Sequence, residues 1–105
     1  MKALIQFGTV PKHLPLESKN GSFSADTVFR NFSNPVSSID GYFYPNGTEA
    51  HRIYFSLSHS NVKRVWTGKL HNLKSGSFSC RITELHNDNK SFSYAVTVNF
   101  SRGSK

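Results

Sequence analysis

The chain has 105 residues, with 13 lysines and arginines against six aspartates and glutamates and a formal net charge of +7. This length suits one domain with a single modest core, and the positive charge favours anionic partners such as nucleic acid. The single cysteine, Cys80, excludes an internal disulfide, and no apolar run approaches the roughly 18 residues of a membrane-spanning helix.

The N-terminal part predicts two strands separated by a loop. Residues 2–8 and 22–32 are rich in strand-forming side chains, and the first stretch lacks the apolar core and cleavage site of a signal peptide. Between them, 9–21 contains two prolines and a closing glycine, which predicts a long polar loop. Because the sequence shows neither a signal peptide nor a membrane-spanning run, we expect a cytoplasmic protein with no membrane segment.

A hairpin is predicted in the middle of the chain. The stretch "IDGYFY" (39–44) is followed by "YPNGT", whose Asn-Gly pair is typical of a type I′ turn. The next strand, "HRIYFSLS" (51–58), alternates between apolar and polar or aromatic side chains: Ile53, Phe55 and Leu57 against Arg52, Tyr54 and Ser56. Period two is typical of a half-buried antiparallel strand.

Three further strands follow, at 63–70, 77–85 and 91–101, and polar turns at 59–61, 71–76 and 86–90 connect them as a meander. Residues 101–105 form a short basic tail. Trp66 is predicted to lie in the core, together with the apolar sides of the neighbouring strands. These core residues are Ile53, Phe55, Leu57, Phe78, Ile82, Val96, Val98 and Phe100.

Six to seven short strands without a helix predict one all-β domain over 1–105. Two architectures fit: a single small antiparallel barrel of the oligonucleotide-binding type, or a two-sheet sandwich. Periodicity leaves both open. In size, basicity and strand content the chain is similar to small phage single-strand-binding proteins, although no motif matches residue by residue.

A cationic face with outward aromatic rings is the predicted functional site. Between residues 50 and 83 there are six lysines and arginines and no acid. Cations that meet phosphates and rings that stack on bases suit single-stranded DNA or RNA. The predicted nucleic-acid-binding residues are Arg52, Tyr54, Lys63, Arg64, Lys69, Arg81, Tyr42 and Tyr44.

Other functions remain open alongside nucleic-acid binding. The protein could instead be a small phage-type inhibitor or structural protein that binds an acidic or nucleic-acid-binding protein, and it could form an oligomer. Two of the histidines at the ends of the predicted strands (His51, His59, His71 and His86) could act with Lys69 as acid and base in a small ribonuclease. The scattered acids and the missing third zinc ligand favour a non-enzymatic protein without catalytic residues, metal or cofactor.

Overall fold

The computed structural model describes residues 1–32, 36, 38–45, 52–60, 64–73, 76–87 and 91–102. Within these ranges the chain forms strands and no helix, so no helical segment there is long and apolar enough to cross a membrane. The strands are β1 (Lys2–Phe7), β2 (Val10–Pro15), β3 (Glu17–Lys19), β4 (Ser22–Phe32), β5 (Ile39–Tyr44), β6 (Ile53–Phe55), β7 (Ser58–Ser60), β8 (Val65–Leu73), β9 (Gly76–Asn87) and β10 (Ser91–Arg102).

The strands form two antiparallel sheets that pack face to face. The smaller sheet has the order β2-β1-β5-β6, and the larger has the order β3-β4-β10-β9-β8-β7. Phe43 of the smaller sheet stacks on Phe78 and Phe100 of the larger, with ring centroids 4.4 Å and 5.4 Å apart. The all-β prediction is confirmed, and the architecture is a two-sheet sandwich rather than a closed barrel.

The chain passes from one sheet to the other between β2 and β3, between β4 and β5, and between β6 and β7, and the first and last of these crossings are bends within the described residues. Leu16, which is buried, separates β2 of the smaller sheet from β3 of the larger. Ser56 and Leu57 separate β6 from β7 in the same way. The strand predicted at 51–58 is therefore divided between the two sheets, and this division rearranges the predicted site.

The predicted loop at 9–21 is wrong, because most of it is strand. Pro11 and Pro15 lie in β2, which pairs only with β1 and forms an edge of the smaller sheet. An edge strand tolerates proline, since the missing N–H would face away from the partner strand. Two short turns remain: Gly8 and Thr9 connect β1 to β2, and Asn20 and Gly21, whose φ angles are 53° and 85°, carry the chain into β4.

The other predicted strands are confirmed with small shifts of their ends. The strand β5 pairs with β6 as expected, with Gly41 opposite Phe55, whereas the Asn-Gly turn lies outside the described residues. The strands β7, β8 and β9 extend into the predicted polar turns, and β10 continues to Arg102, within the predicted tail. These strands are therefore longer than predicted, because residues whose composition is typical of turns are paired in antiparallel strands.

The core prediction is confirmed for its large side chains. Trp66 is 2% exposed, and Phe55, Phe78 and Phe100 are equally inaccessible. Ile82, Val96 and Val98 are fully buried, while Ile53 and Leu57 are partly buried against the same cluster. The sequence prediction omitted the contribution of β1, whose Ala3, Ile5 and Phe7 complete the core. Gly41 is part of this packing, because a Cβ atom there would overlap the Phe55 ring.

Candidate nucleic-acid interface

The single cationic face predicted from the sequence does not exist as one surface. That prediction placed β6, β8 and β9 side by side, but β6 pairs with β5 in the smaller sheet and β8 pairs with β7 and β9 in the larger. The outward side chains of the two sheets of a sandwich point in opposite directions. Those predicted residues that the structure describes are therefore distributed over the two sheets rather than gathered on one surface.

Two tyrosines and an arginine lie together on the outer side of the smaller sheet, which we call the tyrosine face (Lys2, Leu4, His13, Asp40, Tyr42, Arg52 and Tyr54). Tyr42 and Tyr54 are directly opposite each other on β5 and β6, with ring centroids 5.5 Å apart and planes inclined by 66°. The Arg52 guanidinium carbon lies 4.7 Å from the Tyr42 ring centroid. Tyr54 is 53% exposed, so one large ring is open to a partner.

A hydrogen bond orients the exposed ring. The Tyr54 hydroxyl donates to Oδ1 of Asp40 over 3.1 Å. This bond, together with the negative charge of Asp40, raises the pKa of Tyr54 above its ordinary value. The hydroxyl therefore remains protonated at neutral pH, and the phenol is tethered at its distal end while its flat surface stays accessible.

The rest of the tyrosine face comes from β1 and β2, which the sequence analysis did not assign to the site. Leu4 lies between Tyr42 and His13 across the sheet, and Lys2 lies beside Tyr44. Tyr44 is completely buried, and the Lys2 ammonium lies 5.0 Å from its ring centroid. Tyr44 was predicted as an exposed aromatic residue, but its ring offers no open surface to a base.

Lys69 and Arg81 lie on the other side of the sandwich, on the outer side of the larger sheet. We call this surface the serine–threonine face (Thr67, Lys69, Ser79, Arg81, Thr97 and Asn99). Both cations are exposed and line one shallow depression of about 360 Å³. The residues around this depression include no aromatic side chain, so it provides charge and hydroxyl groups without a stacking surface.

Arg64 belongs to neither outer face and instead pairs with Glu84 of the larger sheet. Its Nε and Nη2 atoms donate to the two carboxylate oxygens of Glu84 at 2.8 Å and 2.9 Å. The Glu84 carboxylate, whose side chain is 7% exposed, also accepts a 2.8 Å bond from the Tyr94 hydroxyl, which in turn accepts from the backbone N–H of Val36. The hydrogen bond to Glu84 raises the pKa of Arg64 further. The Arg64 side chain is 39% exposed, so it forms the outer part of a partly buried network.

Trp66 is covered by two neighbours at the same end of the sheet. The His59 ring stacks on it with centroids 4.2 Å apart and planes 7° from parallel, and the Arg64 guanidinium carbon lies 5.4 Å from its centroid. Of the predicted ribonuclease groups, His59 thus packs on a core residue. His51 and Lys63 lie outside the described residues, as do the side chains of His71 and His86.

Neither a metal site in the described residues nor a similar known protein indicates the function. No group of three histidine, cysteine or acidic side chains in the described part of the chain is placed to hold a metal ion. Comparisons with protein families, with curated proteins and with solved structures found no match to this chain. The side-chain chemistry of the two faces is therefore what indicates a function.

Proposed function

We propose that the protein binds single-stranded nucleic acid on the tyrosine face. The observation that supports this proposal is the cross-strand pair of Tyr42 and Tyr54, with Arg52 over the first ring and the second ring half exposed. Stacking on aromatic side chains and contact with neighbouring cations are the two interactions that proteins use to bind single strands with little sequence preference.

The geometry favours single strands over duplexes. Bases in a duplex are stacked on one another, so their flat surfaces are closed to a protein side chain. An unpaired base can instead lie on the exposed ring of Tyr54, whose distal hydroxyl is held by Asp40. Such a platform does not have to form when the ligand arrives, which lowers the entropic cost of binding.

Two fixed cations, Arg52 and Lys2, are available to phosphates on this face. Each phosphate that a cation neutralises on a single strand contributes a slope of about −0.7 to the dependence of log K on log salt, so two contacts give roughly −1.4. Asp40 opposes the phosphates, and its charge limits the affinity at low salt. We therefore expect moderate affinity, with stacking making a large contribution.

The proposal is tested by fluorescence anisotropy with labelled single-stranded and duplex DNA 30-mers without terminal phosphates over a salt series. We expect single strands to bind more tightly and to give a shallow salt slope. Tyr54→Ala should weaken binding by at least about fivefold, with the slope unchanged. The matched control is Lys69→Gln on the opposite face, which should leave the affinity unaltered. Equal affinities for wild type and Tyr54→Ala would reject the tyrosine face as the binding surface.

A protein partner is the second candidate for the same surface. Tyrosine and arginine are enriched among the residues that dominate binding energy at protein interfaces, and Tyr54 and Arg52 are both exposed. Under this alternative the tyrosine face would dock on an acidic or nucleic-acid-binding protein. Wild-type protein that ignores single strands even at low salt would favour this partner over nucleic acid.

A further inference from the structure

The serine–threonine face carries two cations that are close together and face the same space. Arg81 lies opposite Thr67, and Lys69 lies opposite Ser79, so the two cations are diagonal neighbours on adjacent strands. Such neighbours are about 7–8 Å apart at their backbone positions, which is within reach of one another's long side chains. Within the described ranges, neither has a carboxylate within salt-bridge distance.

The depression between these cations results from the size of the side chains. The positions around Lys69 and Arg81 are occupied by short residues: Thr67, Gly68, Ser79, Thr97 and Asn99. Two long cationic side chains therefore border a floor of short polar groups. The carboxylate of Asp26 accepts a 3.3 Å hydrogen bond from the Thr97 hydroxyl. It lies beyond Thr97 in the same cross-strand row as Arg81.

The chemistry of the depression suits a tetrahedral oxyanion. Lysine and arginine present several N–H donors, and the arginine fork matches two oxygens of a phosphate or sulfate at once. The hydroxyl groups of Thr67 and Ser79 add neutral donors. The lining side chains provide no aromatic surface, so a ligand here is recognised by charge and hydrogen bonds alone.

Two further depressions adjoin the first and share Lys69 with it. One, of about 270 Å³, includes Ser77, Ser79, Asn99 and Ser101, and the other, of about 300 Å³, includes Ser56, Ser58 and Thr67. Hydroxyl groups can donate and accept, as can the hydroxyl groups of a sugar. The charged centre is thus flanked on both sides by groups that complement a polar, hydroxyl-bearing ligand.

We propose that this depression binds the phosphate or sulfate ester group of a sugar, with Lys69 and Arg81 holding the oxyanion and the flanking serines holding the sugar hydroxyls. The site is separate from the tyrosine face and shares no residue with it. It does not depend on the proposed nucleic-acid binding, and either function can fail without the other.

The test is a titration of ¹⁵N-labelled protein, followed by amide chemical shifts, with glucose 6-phosphate, glucose 6-sulfate, glucose and inorganic phosphate. Both esters should shift the amides of Thr67, Lys69, Ser79 and Arg81 and should bind at least about tenfold more tightly than glucose, because a hydrogen bond to a charged group contributes about that much. Lys69→Gln and Arg81→Gln should each weaken ester binding about tenfold. Lys19→Gln, which removes a cation elsewhere on the larger sheet, is the matched control.

Three outcomes would overturn the proposal. The first is that neither ester shifts these amides at millimolar concentration. The second is that Lys19→Gln weakens binding as much as Lys69→Gln, which would indicate attraction to the net charge of the protein. The third is that inorganic phosphate binds as tightly as glucose 6-phosphate, which would remove the sugar from the site. Tighter binding of both esters than of glucose and of inorganic phosphate supports it.

Discussion

The tyrosine face and the serine–threonine face, as defined by their residues, each contain two Lys or Arg side chains, yet the side chains around these cations differ. The tyrosine face combines Arg52 with a pair of aromatic rings and a carboxylate, and its exposed ring is tethered by a hydrogen bond. On the serine–threonine face, Lys69 and Arg81 border a floor of short hydroxyl side chains. A net charge of +7 attracts anions to both, but the neighbouring side chains decide what each can hold.

The two faces differ although the same hydrophobic core lies beneath both. Every strand with an alternating pattern places one set of side chains in the common aromatic and aliphatic core, and that core is continuous between the sheets. The outward set has no such constraint, so it is free to differ between the sheets. Variants that damage the interior should therefore affect both faces, whereas variants on one face should leave the other intact.

The largest expected effect comes from removing the Phe55 ring, which packs in the core beneath both faces. Phe55→Ala should lower the free energy of unfolding by about 3–5 kcal/mol, because it leaves a cavity beside Phe78 and above Gly41. Chemical denaturation measures this loss. Tyr54→Ala, one residue away on the outer side of the same strand, is the control and should leave stability nearly unchanged. A similar loss in both variants would contradict the assignment of inner and outer sides.

A smaller loss is expected for Arg64, which belongs to neither face. Arg64→Ala leaves the carboxylate of Glu84 buried without its ion-pair partner. Removing one partner of a fully buried pair costs about 3–5 kcal/mol, and since the Arg64 side chain is 39% exposed we expect about 2 kcal/mol. Denaturation of Lys69→Ala, a fully external cation, should show a change within about 0.5 kcal/mol. Equal stability of both variants would show that the Glu84 pair is only a surface contact.

A pH effect should report on the shared interior. Burial raises the pKa of Cys80 to about 12 and that of Tyr94 to about 12. Both groups are neutral when protonated, so their contribution is complete below the ordinary values of 9.0 and 10.0 and is lost as pH rises toward 12. Stability should fall by about 1 kcal/mol between pH 9 and pH 10. In Cys80→Ala, denaturation midpoints should fall less over this interval, and an equal fall would contradict the burial of the thiol.

The smallest expected effect comes from removing the negative charge of Asp40 on the tyrosine face. Asp40→Asn removes the negative charge beside the exposed ring of Tyr54 while keeping a hydrogen-bond acceptor. Single-strand affinity at low salt should rise about twofold to threefold. The same substitution should lower the pKa of Tyr54, which ultraviolet titration measures. Asp26→Asn, a matched loss of an exposed acid on the opposite sheet, should change neither quantity.

Much of this fold follows from local pattern, while the site depends on strand order. Alternation correctly predicts the inner side of β9 and β10 because period two fixes which side chains share a face. It is silent about which strands are neighbours, and the bend at Ser56 and Leu57 separates Tyr54 from Lys69 without any sign in the composition. The prolines of β2 were misleading for a related reason, since only the tertiary position of the strand at a sheet edge makes them tolerable.

The burial of an individual site residue could be predicted only where it follows the two-residue alternation of its strand. Trp66 shares its side of the strand with Leu70, and its burial is predicted correctly. Tyr44 has the same parity as the accessible Tyr42 but is buried, which local alternation does not indicate. Arg64 is drawn inward by a glutamate twenty residues away, a long-range contact that a single sequence does not reveal.

The most direct test of the central claim is a map of amide shifts in ¹⁵N-labelled protein during titration with a short single-stranded DNA oligonucleotide that has no terminal phosphate. Its internal sugars have no free hydroxyl for the serine–threonine face to hold, so the two proposed sites can be told apart. If the tyrosine face binds single strands, the shifts should concentrate on Lys2, Leu4, Tyr42, Arg52 and Tyr54, while Thr67, Lys69 and Arg81 remain at their free positions. Shifts centred on Lys69 and Arg81 with none around Tyr54, or no shifts at low salt, would contradict it.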